Sequence, residues 1–88
     1  MDAGIEVRHA TAADAGPLAR MLHDFNLEFG DPSPGTDVIE RRVAAFIEDG
    51  RMTYLVAGEG PDGFAQISFK PSVWADTPIG CIDELYVV

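Results

Sequence analysis

The chain has little that would let it be stapled, span a membrane or hold nucleic acid. Its one cysteine, Cys81, allows no internal disulfide and no thiolate-rich zinc site. Its two histidines, His9 and His23, lack metal-ligand spacing. A solvated or helix-capping role is expected for His23 and no metal is expected. No apolar run approaches the ~20 residues that a membrane-spanning helix needs. Met1 to Glu6 lacks the charged-then-apolar layout of a signal peptide. A cytoplasmic protein is therefore expected. Bases are scarce: six lysines and arginines stand against fifteen acids, for a net charge of −9. Only Arg41 and Arg42 adjoin. A phosphate-binding face needs the opposite balance, so no nucleic-acid partner is expected.

What is present is an ordinary globular composition. Hydrophobic residues make up 47% and charged residues 24%, which argues against a disordered chain. Eighty-eight residues make one small domain, close to the lower size limit for a self-sufficient core.

Taken in order, Ile5 to His9 alternates apolar and polar residues as a short strand does. Thr11 and Asp14 have capping-box spacing ahead of a stripe of Ala15, Leu18, Leu22, Phe25 and Phe29, which predicts a helix ending near Gly30. Pro17 is tolerated only in the first turn, so Thr11 and Asp14 both remain candidate caps. The stretch from Asp31 to Gly35 is a proline-rich link. Thr36 or Asp37 then caps a second helix with Ile39, Val43, Phe46 and Ile47 inward and Gly50 at its end. Met52–Ala57 and Phe64–Lys70 flank a glycine-rich turn and predict an antiparallel hairpin. A loop carrying Trp74 leads to a last strand from Ile79 to Val88. The fold class is α+β, in the order β-α-α-β-β-β, with two helices and a mainly antiparallel sheet.

That last strand is apolar on both sides. Strict alternation puts Ile79, Cys81, Asp83, Leu85 and Val87 on one face, and Ile82, Glu84, Tyr86 and Val88 on the other. This predicts a strand covered on both faces. No turn or polar tail follows it, so the expectation is that a following segment is missing or comes from a partner. Asp83 and Glu84, being adjacent, are expected on opposite faces. Cys81 is expected to be inert packing.

The order of elements, the opening Ile5-Glu-Val-Arg-His-Ala-Thr-Ala-Ala-Asp14 and the ending Ile82-Asp-Glu-Leu-Tyr-Val-Val88 together resemble the N-terminal half of the GNAT N-acetyltransferases. The resemblance covers nearly all of residues 5–88 and makes the chain a single, partial acetyltransferase domain. It implies acetyl-CoA as co-substrate and a small-molecule or peptide amine as acceptor. It also implies that the backbone of Leu85, Tyr86, Val87 and Val88 binds the pantetheine arm. One departure is large. The family's pyrophosphate loop, Arg/Gln-x-x-Gly-x-Gly/Ala opening a helix, does not occur in this sequence. Gly58-Glu-Gly60 reads instead as a hairpin turn. The chain alone is therefore expected to be inactive.

Acetyl transfer to an amine needs a base, and a carboxylate in apolar surroundings can serve. Glu84 is the candidate because it shares a face with Tyr86; a structural carboxylate paired with an arginine is the alternative. Tyr86 as general acid is weighed against an ordinary amphipathic strand residue. By position in the family, Phe25, Asn26, Glu28 and Trp74 are candidate acceptor contacts, though Phe25 also continues the core stripe. A non-catalytic module that pairs through its last strand, as a homodimer or with a complementing C-terminal half, is the alternative function. A small α+β domain unrelated to acetyltransferases is a third.

Overall fold

A computed structural model describes residues 6–87. Its elements are β1 (Val7–His9), a 3-10 turn (Ala12–Asp14), α1 (Ala15–Glu28), α2 (Thr36–Asp49), β2 (Met52–Ala57), β3 (Gly63–Lys70) and β4 (Ile79–Val87). The strands form one antiparallel sheet in sequential order, β1-β2-β3-β4. Ile5 and Val88, expected in the first and last strands, lie outside the described residues.

Local chemistry explains where the helices start and stop. Thr11 N–H donates to the Asp14 carboxylate at 2.8 Å, so the sequence's capping pair closes the 3-10 turn that leads into α1. Both candidate caps thus take part. Arg8 Nη1 and Nη2 each donate to the same carboxylate at 2.8 Å, which ties β1 to the start of α1. The arginine and the hydrogen bonds hold the Asp14 pKa down to about 2, against a smaller opposing effect of burial.

The two helices end alike. Gly30 takes φ 75° and Gly50 φ 74°, left-handed values that glycine adopts without strain. Asp31 N–H bonds to Asn26 C=O at 2.8 Å, and Arg51 N–H bonds to Phe46 C=O at 3.1 Å. These are the six-to-one bonds of the Schellman motif. At the other end of α2 the cap is Gly35; Thr36 is already helical, so the expected cap lies one or two residues too late.

Cross-strand partners share a sheet face. On one face Tyr54, Val56 and Phe64 meet Ala15, Leu18, Met21 and Val43 from the helices to form the core. Leu18 and Val56 are fully buried.

Two expectations for β4 fail. Its outer face is bare among the described residues: Ile82, Leu85 and Val87 are 66%, 64% and 75% exposed. Both helices pack against the other face, so an apolar pattern on two sides meets a cover on only one. The strict alternation also breaks. Gln66 pairs with Glu84 while the next residue, Ile67, pairs with Ile82, leaving Asp83 as the extra residue of a β-bulge. From Ile82 back to Ile79 the faces are therefore exchanged. Ile82 lies with Leu85 on the bare face, and Cys81, half-buried opposite Ser68, lies on the covered one.

Candidate active site

The covered face carries a row of polar side chains across three strands. Tyr54 of β2 pairs with Gln66 of β3, which pairs with Glu84 of β4. The Tyr54 hydroxyl donates to Gln66 Oε1 at 2.7 Å. This row floors a cavity of about 210 Å³. Leu22 and Asn26 of α1 and Ile39, Arg42, Val43 and Phe46 of α2 form its walls, with Pro34 of the link between the helices. The floor is polar and the walls are mostly apolar, as in small-molecule sites.

The electrostatics of the floor follow from its burial. Tyr54 is only 2% exposed, and burial pushes its phenol up to about 12, helped by the negative charges of Asp83 and then Glu84. Tyr54 thus stays a neutral donor. The bulge removes the strict alternation on which opposite faces for Asp83 and Glu84 rested.

One row further along, Val56 pairs with Phe64 and Phe64 with Tyr86. Tyr86 stacks against Phe25 of α1 with ring centroids 5.3 Å apart, and its hydroxyl donates to Glu28 Oε1 at 3.2 Å. Desolvation first, then the Glu28 hydrogen bond and charge, raises the Tyr86 pKa. Phe25 joins the packing around the core, in line with its place in the helix stripe.

Of the residues singled out in the sequence, Glu84 and Asn26 come together on the cavity. Phe25 and Glu28 sit beside it on Tyr86. Trp74 does not join them: it is 90% exposed in the loop of residues 71–78 and lines no part of the cavity. Asn26 has a second role, since its side-chain amide donates to Pro32 C=O at 3.2 Å. With the His23 Nδ1–Ser33 Oγ contact of 2.7 Å, it pins the inter-helix link that borders the site. His23 is thus half-buried and bonded rather than solvated. Tyr54, Gln66 and Arg42 were missed. Alternation along each strand puts Tyr54 and Gln66 on a common face only once the hairpin register is known.

Leu85, Tyr86 and Val87 lie in β4, which is an edge strand, so one side of their backbone has no strand partner among the described residues. Val88, the fourth backbone candidate, lies outside the described residues. No group of three or more metal-ligating side chains occurs among the described residues. Among the described residues no helix is long and apolar enough to cross a membrane.

No family model and no curated protein matches the chain. Solved structures do. A chain from Arthrobacter sp. FB24, provisionally named an acetyltransferase, is 45% identical and superposes with a TM-score of 0.88 over all of this chain and 56% of its own. A GCN5-related N-acetyltransferase from Ralstonia eutropha JMP134 matches with a TM-score of 0.71 at 22% identity, covering 96% of this chain and 62% of that one. The chain has the N-terminal half of the GNAT acetyltransferase fold. A third structure, provisionally named an acetyltransferase, comes from Clostridium acetobutylicum with acetyl-CoA. It superposes at a TM-score of 0.75 with 17% identity, over 97% of this chain and 60% of its own. The GNAT half-domain thus spans between half and two thirds of the length of these chains. In it the polar row faces the helices, and the free strand edge lies immediately beside Glu84.

Proposed function

We propose that this chain supplies the acceptor pocket and the thioester-gripping strand of an N-acetyltransferase that uses acetyl-CoA. The observation that carries the reading is the Tyr54–Gln66–Glu84 row, which floors a cavity and ends at the open edge of β4. An acceptor amine in the cavity and a thioester laid along the edge would meet at Glu84.

The chemistry assigns each part a task. Pantetheine hydrogen-bonds to the free backbone of Leu85, Tyr86 and Val87 as an added strand does. A backbone N–H of that stretch polarises the acetyl carbonyl and stabilises the oxyanion formed on attack. The amine nitrogen forms a bond to the carbonyl carbon, and Glu84 accepts the proton the nitrogen sheds. The carbon–sulfur bond then breaks, and the thiolate takes up a proton from water to leave as CoA. The sequence has no glycine-rich pyrophosphate loop, so the chain alone holds acetyl-CoA weakly and turns over little or nothing.

A second reading rests on the same edge. An unpaired strand with a bare apolar face is a template for strand addition, so a pairing module that binds through β4 competes with catalysis. Amide shift mapping separates the two. Titration of the labelled chain with acetyl-CoA is expected to move the Leu85 to Val87 amides at millimolar ligand, with no CoA release when amines are added. Shifts of those amides on raising the protein concentration, with none from acetyl-CoA, would favour the pairing module.

A further inference from the structure

Resting on the acceptor-site reading above, we infer that the acceptor is a small dipolar molecule, an amine at one end and a carboxylate at the other, joined by an apolar linker. The cavity is lined by two opposite charges that form no ion pair with each other. Glu84 is on its floor and Arg42 on its α2 wall. The ion pairs among the described residues are Arg8–Asp14 and Arg51–Asp49, so neither Arg42 nor Glu84 belongs to one.

For Arg42 this is a choice of position on the helix. Residues three and four away on α2 are Val38, Ile39, Ala45 and Phe46, none of them acidic. Its neighbour Arg41, which does not line the cavity, has Asp37 four residues before it. In a chain with fifteen acids and six bases, a base without a helical acid partner on a cavity wall is a notable placement. A guanidinium at such a site suits a planar carboxylate, which it holds through paired N–H donors. Glu84 suits an ammonium.

Leu22, Ile39, Val43 and Phe46 add an apolar wall to the same cavity. A cavity of ~150 Å³ accommodates benzene, so one of about 210 Å³ suits a ligand of about eight heavy atoms. That size fits a short ω-amino acid.

The test is a methyl and amide shift titration of the 88-residue chain with 5-aminopentanoate, pentylamine and pentanoate. The expected result is that 5-aminopentanoate moves the Leu22, Ile39 and Val43 methyls and binds at least tenfold more tightly than either one-ended compound. Arg42→Gln should erase its advantage over pentylamine while pentylamine binding stays unchanged. Glu84→Gln should erase its advantage over pentanoate. Equal binding of 5-aminopentanoate and pentylamine, insensitive to Arg42→Gln, overturns the dipolar acceptor and leaves an amine acceptor standing. If none of the three moves the cavity methyls, the dipolar acceptor is equally overturned. The acetyl-transfer reading fails by a different route, through the absence of acetyl-CoA shifts on β4.

Discussion

Tyr86 and Leu85 are neighbours in one strand and meet different surroundings. Tyr86 lies against Phe25 and Phe64 under α1, whereas Leu85 on the opposite face is 64% exposed. The same contrast runs through the sheet: Val56 and Phe64 are buried on the helix side, while Val7, Ile82 and Val87 stand open on the other. A side chain's apolarity therefore says that a face is suited to burial; only the packing says whether it is buried. The polar row sits on the covered face, where the helices can close a cavity over it.

The sharpest way to break the comparison is to truncate one aromatic or aliphatic residue on each face. Phe64→Ala should cost about 3–5 kcal/mol by urea unfolding, the range for a buried phenylalanine. Leu85→Ala should stay within about 0.5 kcal/mol, because its side chain is mostly in water. Equal losses would mean that the bare face is covered in solution. A smaller effect is expected at the Arg8–Asp14 pair, which holds the covered face's edge strand to α1. Asp14→Asn should cost about 1–2 kcal/mol, as capping and charge-assisted bonds do. Since the folded pKa lies at about 2, below the usual 3.8, this contribution is full above the unfolded value. It fades as pH falls from about 3.8 towards 2. Thermal melts across that window should converge for wild type and Asp14→Asn.

At the floor of the cavity, Tyr54→Phe removes one donor to Gln66 and should cost about 1 kcal/mol by the same unfolding assay. The Tyr54 phenol offers a second check. Its pKa is raised from 10 to about 12, so its contribution is full below pH 10 and is lost as pH rises through about 12. Ultraviolet titration of phenolate should show one tyrosine ionising last, and Tyr54→Phe should remove that step.

Much of the fold was legible because its punctuation is chemical. Gly30 and Gly50 closed the helices, Thr11 and Asp14 opened the first one, and the glycine-rich turn set the hairpin. What could not be read was the register between strands and the bulge at Asp83, which depend on pairing across the sheet rather than on local sequence. For that reason Glu84 and Asn26 could be named singly, while their convergence with Tyr54, Gln66 and Arg42 could not. Trp74, named from the family resemblance alone, stands 90% exposed in its loop and apart from the cavity, a placement that no local pattern in the sequence indicates.

The most direct test of the acetyl-transfer account joins residues 1–88 to the C-terminal segment of the Arthrobacter chain that lies beyond the matched part. CoA release from acetyl-CoA with 5-aminopentanoate is then followed with and without Glu84→Gln. The account predicts turnover by the chimera, little or none by the 88-residue chain, and a roughly 10²–10⁴-fold drop in kcat for Glu84→Gln with KM for acetyl-CoA unchanged. Full turnover by the Glu84→Gln chimera would contradict it.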